Sequence, residues 1–312
     1  MLAELEVQPH PPFDFTQSLR FLAGFPATQK EQVIAPNRLI KGVRLSNITA
    51  VVDLESVGTT DRPRLVMKVQ ADTALTDHQL AQIEKRIRFS LSICEDLAEF
   101  YALARQDTPF QETVMPALHG YRQVKFPSPF EVAAWAVLAQ RQPMAQARRM
   151  KQALVDRFSQ PAVCEGRPFE AFPQADDFQP LDRHELASLL GNERRAAYLF
   201  EVIAAFLTVE DNFLLDAPYD EVKAWLLAIK GIGDWSATFV LARGLGRMQR
   251  ALLEDPESTF NKGMLRAAVP VYGEVSFEEL RAIAERYGIW QGYWAHFLKA
   301  YTEVMGQPRI ER

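Results

Sequence analysis

The chain has 312 residues, 48% of them hydrophobic and 24% charged, an ordinary globular composition with length for about two domains. Its 35 Lys and Arg against 40 Asp and Glu give a net charge of -5, which argues against a surface coated in basic charge to grip nucleic acid but leaves room for a local basic groove. Two cysteines, Cys94 and Cys164, far apart and outside metal-ligand spacing, exclude a disulfide framework and a four-cysteine zinc or iron-sulfur site.

The start, Met1-Leu2-Ala3-Glu4-Leu5-Glu6, lacks a basic region leading into an apolar run, so no signal peptide is expected. The longest apolar stretches, 132–139 and 196–207, fall well short of the roughly 18 residues a membrane span needs, and the second contains Glu201. The expectation is a soluble cytoplasmic protein, nucleoid-associated if bacterial, with no membrane partner.

Residues 38–54 and 64–71 read as strands. In the second, Leu65, Met67 and Val69 alternate with Arg64, Val66, Lys68 and Gln70. Thr76 and Gln79 form a capping box, after which Leu80, Ile83, Ile87 and Leu91 recur at helical spacing. Residues 1–112 are therefore read as a small α+β domain. Over 113–312 the strand signals largely stop. Ser128-Pro129-Phe130-Glu131 caps an apolar helix through Leu138, and Pro143 starts another. A loop rich in proline, glycine and aspartate spans 160–182, and helices are expected near 183–190, 193–208, 218–228, 234–245, 256–268, 276–286 and 289–304. The second domain is read as an all-helical, two-lobed body. Residues 222–250 contain Lys223, Lys230, Arg243, Arg247 and Arg250 against Asp234, and 141–160 hold five basic residues against Asp156, so each stretch is locally basic.

The most informative stretch is Leu226-Leu227-Ala228-Ile229-Lys230-Gly231-Ile232-Gly233-Asp234-Trp235-Ser236-Ala237. One helix ends at Lys230, a Gly-Ile-Gly turn follows, and a second helix begins at once. The two glycines let backbone approach an outside group closely, and the free N–H groups of the new helix suit a nucleic-acid phosphate. Taken alone, the same pattern is also an ordinary tight turn.

This stretch resembles the helix-hairpin-helix, at about 222–243, of the HhH-GPD superfamily of base-excision DNA glycosylases, in which the hairpin precedes a Gly/Pro-rich loop and an essential aspartate. Here the loop runs through Gly244 and Gly246 to Leu252-Leu253-Glu254-Asp255-Pro256-Glu257, with Asp255 in the aspartate's place. Pro11 to Phe15, Phe126 to Pro143, Leu190 to Ala196 and Trp290 to Tyr293 fall in the order of the DNA-3-methyladenine glycosylase II subfamily, so the resemblance covers nearly the whole chain.

The resemblance implies a mainly α HhH-GPD fold and a glycosylase that acts on double-stranded DNA containing a damaged base, as a monomer and without a required cofactor. It makes Asp255 the catalytic residue. An N-glycosidic bond breaks through an oxocarbenium-like sugar that one anion can stabilise, and an alkylated purine, already cationic, leaves without a second acid. Asp255 before Pro256 also reads as a helix N-cap, and Glu254 and Glu257 are its local competitors. Trp235 and Phe239, spaced i, i+4, are implied to border the pocket for the flipped base; the alternative is plain core. Strand-cleaving members carry a nucleophilic lysine where Trp235 stands, so a monofunctional enzyme is implied.

Gly231, Gly233, Lys230 and Ser236 are implied DNA contacts, with Gln140 and Arg141 where the family places its duplex wedge; a solvated helix end is the other reading of Arg141. The carbonyls of Leu227, Ile229 and Gly231 are the implied seat of a structural Na+ or K+. The aromatic that closes the family's pocket falls near Lys299. The five histidines, His10, His78, His119, His184 and His296, are scattered singly and indicate no catalytic metal. The expected substrates are 3-methyladenine and 7-methylguanine. The alternatives are a glycosylase for deaminated or oxidised bases, a catalytically inactive helix-hairpin-helix DNA-binding protein and, more distantly, a hydrolase of free nucleosides.

Overall fold

A computed structural model describes residues 2–306 apart from 26, 29, 30, 46, 47, 180, 252 and 254; the side chains of 259 and 304–306 are likewise left aside. The N-terminal part is an antiparallel sheet of β1 (Leu2–Val7), β2 (Gln32–Ala35), β3 (Arg38–Leu45), β4 (Ile48–Ser56) and β5 (Leu65–Ala71), in the order β1-β5-β4-β3-β2. Helix α1 (Phe15–Gly24) lies between β1 and β2 in sequence, and α2 (Asp77–Ser90) follows β5 behind the expected Thr76–Gln79 capping box.

In β5 the alternation holds, with Leu65, Met67, Val69 and Ala71 buried and their neighbours half-exposed. The single strand expected over 38–54 is instead the pair β3 and β4, with Leu45 opposite Ile48. Both strands are buried along most of their length, because α1 and α2 cover one face and a small hairpin, β6 (Ala162–Cys164) with β7 (Arg167–Phe169), covers the other through Ile40, Val51 and Phe169. Burial on both sides erases the change of pattern that would mark the turn. That hairpin lies in the segment expected to be loop throughout; its strands are three residues long, too short for a period to register.

The helical body has two cores. Helices α3 (Ala98–Ala104) and α4 (Thr108–Ala117) come first. Next are α5 (Pro129–Ala139), α6 (Met144–Phe158), α7 (Arg183–Leu190), α8 (Glu193–Phe206), α9 (Asp211–Asp216), α10 (Tyr219–Ala228) and α11 (Asp234–Arg243). The chain then forms α12 (Thr259–Tyr272), α13 (Phe277–Glu285) and α14 (Gln291–Gly306). One core gathers side chains from Phe126 to Leu245 around α5, which is apolar on every side and buried from Phe130 to Ala139. The other joins Leu97–Tyr121 to Met248–Tyr301. Residues 97–112, read from sequence with the α+β domain, thus pack among the C-terminal helices, and the sheet's own core reaches only to Ile93 and Val124. Helix α11 bridges the lobes: Val240 and Leu241 sit in the first core while Ala242 packs on the second.

Candidate active site

Helix α10 closes at Ala228, and the turn beyond it is held by the Ile232 N–H donating to the Ile229 carbonyl at 3.0 Å. Gly231 is required twice over. Its φ of +101° lies in the region that favours glycine, and a Cβ there would meet Tyr198 Cγ at 2.4 Å. Gly233 differs: its φ of -97° suits any residue, and a Cβ would meet nothing within 4 Å. It opens α11 with no side chain capping the first turn, so open backbone faces outward at a helix N-terminus.

Gln140, at the end of α5, latches this hairpin. Its amide nitrogen donates to the Gly231 carbonyl at 2.7 Å and to Ser236 Oγ at 2.9 Å. The end of α5 is itself held by Arg195 of α8, whose buried guanidinium donates to the carbonyls of Val137 and Gln140; burial lowers its pKa. Arg141 then stands exposed at φ +47°. A groove of about 1010 Å³ runs between these elements, lined by Gln140, Arg141, Gly231, Gly233, Trp235 and Ser236.

A cavity of about 530 Å³ adjoins it, and the two share Asp234, Trp235 and Phe239 as a wall. The Trp235 and Phe239 rings stack 5.3 Å apart at 11°, and Trp235 is 51% exposed, so it is not core. Asp255 lines the cavity from the loop before α12. One carboxylate oxygen accepts the Glu257 N–H at 2.9 Å, and the side chain makes no other hydrogen bond among the described residues. Asp255 is not the N-cap of α12. That role belongs to Ser258, because the chain first makes a turn, closed by the Ser258 N–H on the Asp255 carbonyl at 3.1 Å. Glu257 points elsewhere, bonded to Lys262 at 2.8 Å, which holds its pKa below the usual carboxylate value. Glu254 and Leu252 lie outside the described residues.

No family model matches the chain. It is 23% identical to a DNA-3-methyladenine glycosylase of Bacillus subtilis over 214 residues, 68% of this chain and 70% of that one. Its fold is similar to that of a 3-methyladenine DNA glycosylase from Archaeoglobus fulgidus, with a TM-score of 0.74 and 19% identity over 97% of this chain and all of that one. The chain therefore has the fold of the HhH-GPD glycosylases. An 8-oxoguanine glycosylase/lyase of Clostridium acetobutylicum, solved on double-stranded DNA with cytosine opposite 8-oxoguanine, has the same fold at a TM-score of 0.67 and 14% identity, covering 98% and 99% of the two chains.

On this HhH-GPD scaffold the residues singled out from sequence fall into two groups. Asp255, Trp235 and Phe239 meet at the cavity, and Gly231, Gly233, Ser236, Gln140 and Arg141 line the groove; Lys230 is exposed on the hairpin but lines neither. Ser236, only 2% exposed, and Gln140 are latches within the protein. Of the three carbonyls read as a cation seat, Ile229 already accepts from Ile232 and Gly231 from Gln140, which leaves each a second lone pair. Among the described residues no group of three or more His, Cys, Asp and Glu side chains is arranged to hold a metal ion. No helix among them is long and apolar enough to cross a membrane.

Part of the local basic charge, mainly that of the hairpin stretch, is taken up inside the fold. Lys223 pairs with Asp234 and Arg250 with Asp220, each at 2.9 Å. Arg247 donates to the carbonyls of Leu214, Leu215 and Ala217, and Arg243 is half-buried with its guanidinium over the Phe21 and Phe25 rings, where desolvation lowers its pKa. In the other basic stretch Lys151 is buried against Glu131 and Glu31. Lys230 and Arg141 remain exposed near the groove.

Several cavity residues carried no signal in the sequence. Phe21 comes from α1, and the Arg243 guanidinium lies 4.5 Å from its ring centroid, so the sheet layer reaches the site. Buried Asn261 donates to the Asp255 carbonyl at 2.7 Å and fixes the aspartate's loop. His296 bonds Tyr121 Oη at 2.8 Å, and burial, then Arg243 and Lys299, hold its pKa well below the ordinary imidazole value. None of these belongs to a run or a spacing that sequence could register.

Proposed function

We propose that the protein is a monofunctional DNA glycosylase of base excision repair, which flips an alkylated purine out of double-stranded DNA and hydrolyses its bond to deoxyribose. The observation that carries this reading is the meeting, in one cavity, of a carboxylate with a free oxygen and a stacked aromatic pair, directly beside a groove walled by the hairpin. Trp235 and Phe239 offer π-faces to an electron-poor alkylated ring. Asp255 stabilises the positive charge that develops on the sugar as the base departs, and orients the attacking water. An already cationic purine needs no second acid to leave, so one carboxylate suffices.

The groove takes the DNA backbone. Gly233 and the uncapped first turn of α11 receive a phosphate through N–H groups, Lys230 adds charge beside them, and Arg141 stands where a side chain enters the gap left by the flipped nucleotide. The Ile229 and Gly231 carbonyls, each with a second lone pair, and the Leu227 carbonyl would hold a Na+ or K+, which would supply positive charge beside that phosphate. With Trp235 at the hairpin position, the enzyme works by water and forms no Schiff base there, as a monomer with no required cofactor.

The test is release of free base from dimethyl sulfate-treated DNA by the purified protein, followed by chromatography. Wild type should release 3-methyladenine and 7-methylguanine, and Asp255→Asn should lower the rate by roughly a hundredfold or more, the scale of losing a principal transition-state charge. Undiminished release by that variant would sink the assignment of Asp255. No release by wild type would sink the activity itself.

A further inference from the structure

The cavity beside Asp255 holds one cation that the reading above leaves without a role. Lys299, on α14, is half-buried with its Nζ 3.5 Å from the Phe260 ring centroid. Among the described residues it makes no ion pair and no side-chain hydrogen bond, so its N–H donors are left for whatever enters the cavity. The other cavity cations are placed differently: Arg250 is tied to Asp220, and Arg243 lies over Phe21. A lone ammonium in the space proposed for a flipped base is a strong discriminator, because charge on the base meets like charge at short range in a partly dry site.

We propose that Lys299 ranks the bases this cavity accepts, favouring uncharged bases that present a ring-nitrogen or carbonyl acceptor and holding back bases whose ring is cationic. The inference rests on the glycosylase reading and qualifies its substrate class: the cationic purines proposed above remain substrates, excised less well at neutral pH than they would be without Lys299. A cationic purine gains from the Trp235–Phe239 faces but is repelled by Lys299. An uncharged lesion such as 1,N6-ethenoadenine keeps the stacking and accepts a hydrogen bond. At the few ångströms available, and allowing for solvent screening, the repulsion disfavours the cationic base on the order of tenfold.

The discrimination carries a pH dependence. Burial pushes the Lys299 ammonium down to about 8, with Glu303 one turn along α14 opposing it. The other titratable and charged groups that face the same cavity are His296 on α14, Arg243 on α11, Asp255 on its loop, Arg250 paired with Asp220, and Asp234 paired with Lys223. Helix α12 contributes only uncharged Phe260 and Asn261 at this point. Burial lowers His296 far enough to keep it neutral here, and burial raises Glu303 from the usual carboxylate value. Below about pH 8 Lys299 is cationic and the repulsion is present; above it the charge is lost, so excision of cationic bases rises relative to uncharged ones as pH climbs.

The experiment measures kcat/KM for 3-methyladenine release and for release of 1,N6-ethenoadenine, uncharged across this range, from duplex DNA, after subtraction of enzyme-free release, at about pH 7 and about pH 9.5. The 3-methyladenine to ethenoadenine ratio of wild type should rise roughly tenfold between the two. Lys299→Met should show the high ratio at both pH values, whereas Lys299→Arg, charged throughout, should stay low at both. A wild-type ratio at neutral pH in Lys299→Met, or a persisting pH rise in Lys299→Arg, overturns the inference while leaving the glycosylase reading intact. So does a borohydride-trapped adduct on Lys299, which would make it a nucleophile. If wild type releases neither base, the glycosylase reading falls and this inference with it.

Discussion

The two hairpin glycines look alike in sequence and do different work. Gly231 has a left-handed backbone and no room for a Cβ against Tyr198, so Gly231→Ala should cost about 2 kcal/mol or more of stability in denaturant unfolding. Gly233 has an ordinary φ and open space, so Gly233→Ala should change stability by no more than about 1 kcal/mol, yet weaken binding to duplex DNA several-fold in fluorescence anisotropy. Equal loss of stability in the two variants would make the second glycine structural. The same division runs through the polar residues. Ser236 and Gln140, DNA contacts by the family resemblance, bond to each other across the hairpin, and Gln140 also to the Gly231 carbonyl.

At the scale of elements, the hairpin is not a free-standing motif. It is fastened to the end of α5 by Gln140, and that end is fastened to α8 by Arg195, three segments far apart in the chain. Gln140→Leu leaves the Gly231 carbonyl and Ser236 hydroxyl without their donor. It should lower stability by about 1–3 kcal/mol and loosen the groove, read as a drop in melting temperature together with a fall in DNA affinity. A variant that melts lower but binds DNA as tightly would show that the latch serves the fold alone. The helix start after Asp255 makes a related point. Asp-Pro reads as an N-cap followed by the first helical residue, yet Ser258 takes the cap, and Asp255 is left on a preceding turn with an oxygen to spare.

At the scale of the whole molecule, the sheet layer is joined to the helical body by a buried charge cluster. Lys151 of α6 donates to Glu131 of α5 at 2.8 Å, to the Ala27 carbonyl at 2.7 Å and to Glu31, which also meets Lys41 of β3 at 3.3 Å. Burial alone would lower the Lys151 pKa; Glu131 and Glu31 outweigh it and raise it, so the ammonium is held charged. Lys151→Met would leave buried Glu131 without a cation and Glu31 with Lys41 alone, and should cost about 3–5 kcal/mol in denaturant unfolding. A loss under about 1 kcal/mol would mean that the layers are held by apolar contact alone. The layer then has a purpose beyond support, since α1 brings Phe21 to the cavity and Phe25 to the groove. The net charge of -5 also reads differently: Lys223, Arg250 and Lys151 of the two positive stretches are spent on ion pairs, while Arg141, Arg148, Arg149, Arg157 and Lys230 stay exposed.

Local sequence determined what local physics controls. The period-two strand β5, the capped starts of α2 and α5, the hairpin with its positive-φ glycine, and the aromatic pair one helical turn apart each follow from residues within a few positions of one another. The placing of Asp255 at the site came from resemblance over the whole chain, for nothing local separates it from Glu254 or Glu257. Only the tertiary structure decided the rest. It split the expected strand 38–54 in two because burial on both faces masks a turn, and it put residues 97–121 with the C-terminal helices. It paired Lys223, Arg250 and Lys151 with acids that the local charge count does not identify as their partners. It also set Lys299, Asn261 and Phe21 around one cavity, an assembly of side chains from three separate helices that no spacing along the chain encodes.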